Sequence, residues 1–363
     1  MSYQSEAPVR SGRYEVRVAS PDDAPRIEAL FAEQGFPGDI AVHFRRRPSV
    51  ADSLAADGDD VVIAVCHDTA TGALAGMGAC VLREEWFNGS RRLGAYLTAL
   101  KRARGDPGAI RALPLAYAWL GRTVFARTAE KERPFFYTTI LSGNDPAMRL
   151  LGRPHGGLPA YSPLGVYTVF ILGTRRREPR LPAGLSFRPG WDAAVARFYE
   201  DQLPRYNCAP PTERLAAIPG AETYSLRDGT KVVAAGSVWD QADTKQYLVT
   251  GYAPRYRAAR HLPLRALGYP ALPAPGLPAR YSTLTGVVVA DSHTGIAADF
   301  LRLLAGRRPG LDFAIFGAME GHPLAAPAAR LRHVSYTSQL YAVGYPGNPA
   351  PDGRPIMLEA GLL

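Results

Sequence analysis

Cysteine is scarce in this sequence, and the three present, Cys66, Cys80 and Cys208, form no Cys-x-x-Cys pair. This spacing argues against a disulfide framework and is typical of proteins kept in a reducing compartment. The seven histidines are scattered, with no close pair at the spacing of metal ligands. We therefore expect no metal site and a cytoplasmic protein.

Long apolar runs are also missing. No stretch approaches about 18 uninterrupted apolar residues, so no transmembrane helix and no membrane partner are predicted. The N-terminal sequence MSYQSEAPVRSGRYEV lacks the apolar segment of a signal peptide. Apolar residues make up 47% of the chain and charged residues 21%, which is ordinary for a folded soluble protein. A length of 363 residues favours two domains.

Several catalytic signatures are absent as well. The chain has no Gly-x-Ser-x-Gly elbow and no phosphate-binding Gly-x-x-x-x-Gly-Lys-Ser/Thr loop. The net charge of +9 would suit a nucleic acid, an anionic membrane or a phosphorylated small molecule. The basic residues are not interleaved with aromatic ones as in nucleic-acid modules, so nucleic acid is not the expected partner.

The two halves of the chain repeat the same order of segments. YEVRVASPDDAPRIEALF in the first half and LSFRPGWDAAVARFYEDQL in the second both predict a short strand, a turn and an amphipathic helix. Further similar segments follow in the same order, matched at Gly76 and Gly236, Pro146 and Pro323, and Tyr167 and Tyr341. Any two α/β halves share some strand–helix rhythm, but a conserved order of several pairs favours an internal duplication.

We therefore predict an α/β fold with two tandem domains, each built on a mixed central sheet flanked by helices. The first domain covers residues 1–174, a linker rich in charge, proline and glycine covers 175–184, and the second domain covers 185–363. The predicted strands lie near Glu15–Val18, Val61–His67, Ala73–Leu82, Ala95–Lys101, Phe135–Leu141, Val166–Ile171, Leu185–Arg188, Thr223–Leu226, Val232–Val238, Ser282–Ala290, Asp312–Gly317 and Gln339–Tyr345.

The segment YLTALKRARGDPGAI places an apolar strand before a basic, glycine-rich turn and a helix. A helix N-terminus offers unpaired N–H groups and partial positive charge, and glycine lets that backbone approach a phosphate closely. Against this interpretation, Asp106 brings a negative charge, and Pro107 and Pro114 each remove an N–H. The alternative is a solvated turn with no ligand.

This order of segments resembles the GNAT superfamily of acyl-CoA N-acyltransferases. SGNDPAMRLL is similar to the short Asn-x-x-Ala-x-x-Leu helix of that family, with Asn144, Ala147 and Leu150 in place. The family's pyrophosphate loop normally reads Arg/Gln-x-x-Gly-x-Gly/Ala. Here Arg102 and Gly105 match that pattern, while a proline stands at its last position.

The resemblance implies that each central sheet is splayed and that the first copy binds an acyl-CoA, with acetyl-CoA as the expected donor. The pantetheine arm would pair with the fourth strand, and the phosphates would meet the loop that follows. The residues assigned to the donor are Leu100, Lys101, Arg102, Arg104, Gly105, Gly108, Ala109 and Asn144.

The catalytic residues are less clearly marked. The family's usual acid, a tyrosine directly after the motif's leucine, is replaced by Leu151, and Tyr161 or Tyr137 could substitute for it. Glu84 and Glu85 end the predicted third strand, and since neighbouring side chains point to opposite faces, at most one could face a cleft. We select Glu85 as a base acting through water and Tyr161 as the acid, with a structural role for each as the alternative.

The loop of the second copy, VVVADSHTGIAADFL, has no nearby arginine or lysine, which predicts that this divergent copy has lost or never used a coenzyme A site. The predicted function is transfer of an acetyl or other acyl group from acyl-CoA to a small-molecule or peptide amine by direct attack. Two alternatives stay open: an aminoacyl-tRNA-dependent transferase of double-GNAT fold, and a catalytically degenerate binding or scaffold protein.

Overall fold

A computed structural model describes residues 6–33, 35, 38–128, 133–152, 156–175 and 179–363, without the side chain of Pro107. The strands in this part of the chain are β1 Val9–Ser11, β2 Tyr14–Val18, β3 Ile40–Arg46, β4 Asp60–Asp68, β5 Leu74–Phe87, β6 Ser90–Arg102, β7 Phe135–Leu141, β8 Ala160–Leu172, β9 Leu185–Pro189, β10 Ala221–Asp228, β11 Lys231–Trp239, β12 Lys245–Tyr252, β13 Tyr281–Val289, β14 Phe313–Met319 and β15 His333–Gly344. The α-helices are α1 Ala24–Ala32, α2 Val50–Ala55, α3 Leu113–Ala126, α4 Asp145–Leu151, α5 Ala193–Gln202, α6 Thr212–Ala216, α7 Pro254–Ala259, α8 Ala297–Ala305 and α9 Ala325–Ala329.

Thirteen of the strands form one sheet, in the order β1-β2-β4-β5-β6-β7-β15-β8-β14-β13-β11-β10-β9. The β6–β7 and β13–β14 pairs are parallel and the other pairs in this sheet are antiparallel. The predicted α/β class with a mixed, helix-flanked sheet is therefore confirmed. The other two strands, β3 and β12, form a separate antiparallel ribbon with one strand from each half.

The halves exchange their last strands. β8, from the first half, lies between β15 and β14, and β15, from the second half, lies between β7 and β8. Tyr167 on β8 pairs with both Ser338 on β15 and Met319 on β14. The predicted division into domains at residues 175–184 stays a prediction. Residues 176–178 of this linker lie outside the described part of the chain. The hydrogen-bonded order of strands continues from one half of the chain into the other.

Matching bulges show how the repeat is aligned. In the β5–β6 pair the register shifts opposite Gly78, where Ala99 has a φ of 56°, and in the β11–β13 pair it shifts opposite Gly236, where Gly286 has a φ of 61°. Gly78 is thus the counterpart of Gly236. The match of Gly76 to Gly236 proposed from the sequence is wrong by two residues, because sequence letters alone do not reveal the bulge.

Helices cover both faces of the sheet. α1 buries Ile27, Leu30 and Phe31, which are spaced to form one apolar stripe, against the face that carries Tyr96. α3 buries Trp119 on the opposite face, in a core with β2, β4 and β7. Within the described part of the chain, no helix is both long and apolar enough to cross a bilayer.

Candidate active site

The sheet splits between β6 and β7. The two strands pair only at Gly94–Phe135, Ala95–Phe136 and Tyr96–Tyr137. Beyond Tyr96, β6 continues along β5 as far as Arg102, but no strand of the described chain pairs with its other edge. The Leu97 carbonyl accepts from the Thr138 hydroxyl at 2.7 Å, and beyond it the outward backbone N–H and C=O groups of residues 98–102 face a gap, where an extended ligand could pair with them.

The bulge at Ala99 lies inside this gap. A positive φ at a residue with a Cβ costs roughly 1–2 kcal/mol, so such strain persists only where the surrounding structure imposes it. The following side chain, Leu100, is 44% exposed although it is large and apolar. Strain and an exposed apolar side chain at a split sheet are features of a ligand site.

A cavity of about 1150 Å³ opens from the gap and runs between the two halves of the molecule. The β3–β12 ribbon forms one wall, and strands β8 and β14 form another. Its walls are mostly apolar and include the aromatic residues Phe31, Phe44, Tyr96, Tyr167, Tyr247 and Phe313. The space far exceeds what an acetyl group alone requires.

Charge on the cavity wall is almost all positive. Among the described lining residues the one acidic side chain is Asp39, which is bound to Arg255, and no histidine is present. Leu363, at the carboxyl end of the chain, also lines the cavity, and a backbone oxygen of Leu363 accepts from the Lys245 Nζ at 3.1 Å. Arg46 is buried and donates to Asp57 at 2.7 Å. In the described residues, no group of three His, Cys, Asp or Glu side chains could hold a metal ion.

Asp106 occupies the start of the predicted phosphate loop. The chain turns at Gly105, with a φ of 84°, and a 3-10 helix over Pro107–Ala112 leads into α3. The Asp106 Oδ1 accepts hydrogen bonds from the Gly108 N–H at 3.0 Å and from the Tyr14 hydroxyl at 2.8 Å. The bond from Tyr14 helps to hold the pKa of Asp106 below its usual value. The amide predicted to meet a diphosphate is therefore already bound to a carboxylate.

Gly108 is required here by close packing. A Cβ at this position would come within 2.4 Å of the Tyr14 hydroxyl. Ala109 is buried with Tyr14 and Ala75. These contacts explain the small residues of the loop without a ligand, and only Gly105 has open space around it.

The predicted basic residues do not form one cluster around the loop. Arg104 donates to the Glu33 carbonyl at the end of α1, at 3.1 Å, and Arg102 lies 3.5 Å from the Asp106 carbonyl. The Lys101 Nζ lies 4.6 Å from the centre of the Phe31 ring, on the α1 side of the sheet. All three line the cavity.

Asn144 lies across the split from these residues. It caps α4, because its Oδ1 accepts from the Ala147 N–H at 3.4 Å, and it lines the cavity. The donor residues assigned from the sequence thus surround one opening, except that Gly105 and Gly108 are not on the cavity wall.

Glu85 is buried away from the cavity. Its Oε1 accepts from Arg83 at 2.6 Å and from the Tyr137 hydroxyl at 2.5 Å, and Arg83 also donates to the Leu362 carbonyl at 2.8 Å. Glu84, on the opposite face, is exposed and pairs with Arg91. The geometry does not favour Glu85 as a base, because it does not line the cavity and instead helps to hold the C-terminal segment.

Tyr161 lines the cavity and is paired with a second tyrosine. Its hydroxyl lies 2.6 Å from the hydroxyl of Tyr117, and burial raises the pKa of both, to about 12 for Tyr117. Both hydroxyls are therefore protonated near neutral pH. Since one donates to the other, the accepting hydroxyl keeps a proton that it can offer elsewhere.

The split of the second half is closed by the chain itself. β13 and β14 pair only from Tyr281–Phe313 to Thr283–Ile315. In the gap beyond, the Glu359 carboxylate accepts from the Gly286 N–H at 3.0 Å and from the Thr285 hydroxyl at 2.7 Å. A carboxylate of the chain itself therefore occupies these β13 groups, and no pattern in the sequence indicated that a distant segment would lie there.

No protein-family model matches the sequence, and no curated protein matches it. Among solved structures, a GCN5-related N-acetyltransferase from Sphaerobacter thermophilus aligns over 94% of this chain and 100% of its own, at 14% identity and a TM-score of 0.54. N-myristoyltransferase from Saccharomyces cerevisiae with bound myristoyl-CoA aligns over 98% of this chain and 86% of its own, at 9% identity and a TM-score of 0.59. At these identities the comparison concerns the fold, and the chain has the fold of the GNAT superfamily, as the resemblance in its sequence implied.

Proposed function

We propose that the protein is an N-acyltransferase that moves an acetyl or other acyl group from an acyl-CoA to an amine. The observation that carries the proposal is the unpaired edge of β6 beyond Tyr96, which opens into the large cavity between the halves. An extended pantetheine arm carries amides that can pair with such an edge as a further strand would.

The second half suggests where the reacting carbonyl lies. The Gly286 N–H, at the bulge of β13, binds a carboxylate oxygen of Glu359. Ala99 holds the matching bulge of β6. We place the thioester oxygen at the Ala99 amide, which would stabilise the negative charge that develops there.

Asp106 limits where the phosphates can lie. Because the Asp106 carboxylate already accepts from the Gly108 N–H, we place the diphosphate outside the loop, against Arg102 and the open side of Gly105. Arg102 is the last residue of β6 and Gly105 lies in the turn that follows, so the pantetheine arm can follow that strand to the split.

The reaction is a direct attack. The amine nitrogen bonds to the thioester carbon, the carbon–sulfur bond breaks, and coenzyme A leaves as a thiolate. In this proposal Tyr161, backed by Tyr117, supplies the proton that the thiolate takes up, the attacking nitrogen releases its excess proton to water as the amide forms, and Tyr161 regains a proton from water. General acid help of this kind is typically worth about 10²–10⁴ in rate.

No free side-chain base is evident among the described residues of the cavity wall. The one acidic side chain there is paired with Arg255, no histidine is present, and a backbone oxygen of Leu363, which also lines the cavity, accepts from the Lys245 Nζ at 3.1 Å. The proposal therefore has the amine react after its proton is lost to water. The rate at low acceptor concentration should then rise with pH until the acceptor's own pKa is reached.

The test is release of coenzyme A thiol from acetyl-CoA and longer acyl-CoAs over a panel of amines. Tyr161→Phe should lower kcat by about 10²-fold or more, while Tyr336→Phe, which also removes a cavity hydroxyl, should leave it unchanged. Coenzyme A binding without turnover on any amine would instead favour the degenerate binding protein. Equal kcat values for wild type and Tyr161→Phe would remove Tyr161 from the mechanism.

A further inference from the structure

Lys101 is a half-buried cation inside the cavity. It lies on the free part of β6, two residues beyond Ala99, and its Nζ stands 4.6 Å from the centre of the Phe31 ring. Residues two apart on a strand share a face and lie roughly 7 Å apart. One small molecule can therefore reach both the Ala99 amide and the Lys101 side chain.

No counter-ion of Lys101 is found in the described residues. The cavity's one acidic side chain there, Asp39, is bound to Arg255, and a backbone oxygen of Leu363 on the same wall accepts from the Lys245 Nζ at 3.1 Å. The neighbouring buried cations Arg46 and Lys245 both bind Asp57, at 2.7 Å and 2.8 Å. Burial alone lowers the pKa of Lys101 to about 8, with no acidic group opposing the shift.

A cation in this position is costly unless an anion accompanies it. The contact with the face of the Phe31 ring offsets part of this cost. A bound ligand can offset the remaining cost of burying the Lys101 charge. An anion bound there would serve Lys101 as Asp57 serves Arg46 and Lys245.

The donor's diphosphate does not account for this site. The Asp106 carboxylate accepts hydrogen bonds from the Gly108 N–H of the loop and from the Tyr14 hydroxyl. Tyr14 and Val16 are two residues apart on β2 and therefore share a face of that strand. Val16 packs in the core with α3, whereas Phe31 belongs to α1 on the opposite face. The Lys101 side chain and the phosphate loop therefore lie on opposite sides of the sheet.

We propose that Lys101 binds a carboxylate of the acceptor, and that the acceptor is an apolar amine bearing this group. The inference rests on the proposed function. The apolar body of the acceptor would lie against Tyr167, Tyr247 and Phe313, and its amine would lie at the split beside Ala99. Amino acids with large apolar side chains are the simplest molecules of this class.

The test uses binding alone, so it does not depend on turnover. Calorimetry at pH 7 compares N-acetyl-L-phenylalanine, which resembles an acylated product, with its uncharged amide. A hydrogen bond to a charged group is worth about 1.5–3 kcal/mol, so the acid should bind about tenfold or more tightly than the amide. Lys101→Met should abolish this preference, and Lys231→Met, at an exposed lysine, should preserve it.

An equal affinity for acid and amide, the absence of binding by either, or the same preference in Lys101→Met as in wild type would overturn the inference. None of these outcomes bears on acyl transfer itself. Conversely, preferential binding of the acid with no thiol release from any acyl-CoA would support the Lys101 site while contradicting the proposed function.

Discussion

At the scale of single residues, Asp106 limits where a diphosphate could bind beside β6. Its carboxylate accepts a hydrogen bond from the Gly108 N–H and lies beside the proposed phosphate position. The sequence Gly-Asp-Pro-Gly allowed both a phosphate cradle and a solvated turn. The structure adds the hydrogen bond from Tyr14, 92 positions away, which no local pattern could have indicated.

Asp106→Asn tests this interpretation. The variant keeps an oxygen acceptor for the Gly108 N–H and removes the negative charge. We expect acetyl-CoA to bind about three- to tenfold more tightly, since partly exposed charge pairs are worth about 1 kcal/mol. Calorimetric titration measures this change.

Asp68→Asn is the matched control, because Arg13 lies 3.5 Å from both carboxylates but Asp68 does not contact the Gly108 amide. Unchanged affinity in Asp106→Asn, or the same gain in both variants, would place the diphosphate elsewhere.

His322 gives a prediction about pH. Its Nδ1 accepts from the Leu324 N–H at 3.2 Å, its Nε2 has no partner in the described part of the chain, and burial lowers its pKa to about 4. Between pH 6.5 and about 4 the unfolded chain takes up a proton that the folded protein does not. The free energy of unfolding should therefore fall across this window, by about 3 kcal/mol, and level off below it.

Urea unfolding at several pH values measures this slope. His322→Gln should flatten it, whereas His261→Gln, at an exposed histidine, should not. Identical slopes in wild type and His322→Gln would assign the acid sensitivity to other groups.

At the scale of elements, the bulge of β6 shapes the split edge. Ala99→Gly should stabilise the fold by about 1 kcal/mol, because glycine adopts the φ of 56° without a Cβ penalty. Ala99→Val should destabilise it by about 1–2 kcal/mol and impair donor binding. Denaturant unfolding and acetyl-CoA titration measure the two effects.

The control is Ala79→Gly, at a buried position of β5 without a positive φ. Glycine there should destabilise the protein by about 0.5–1 kcal/mol. Destabilisation of the same size in Ala99→Gly would show that the bulge is not strained.

Elements with a strong local pattern were predicted from the sequence. The alternating strands and the stripe of Ile27, Leu30 and Phe31 correspond to β-strands and α1 in the structure. The ribbon of β3 and β12 was missed, since its strands lie about 200 residues apart and pair only with each other. The run of three arginines at 45–47 has the pattern of a solvated surface segment, yet Arg46 is buried on Asp57.

At the scale of the whole molecule, the exchange of β8 and β15 joins the halves. The residue pattern of each strand is the same whether the strand pairs within its own half or with the other one. The sequence could therefore predict the duplication but not the order of the sheet. The same holds for the segment around Glu359 that closes the second split.

The exchange predicts that residues 1–178 will not fold alone. Without the second half, β7 loses β15, and β8 loses both of its neighbours, which leaves long unpaired edges. We expect this fragment to aggregate when expressed by itself and to become soluble when co-expressed with residues 179–363. A monomeric, cooperatively folded fragment would show that β8 can return to its own half.

Amide hydrogen exchange with and without acetyl-CoA shows whether the donor lies along the free edge of β6. We expect slower exchange in residues 97–102 on saturation with acetyl-CoA and no change in residues 284–289, whose gap holds Glu359. Unchanged exchange in residues 97–102, or protection confined to residues 284–289, would contradict it.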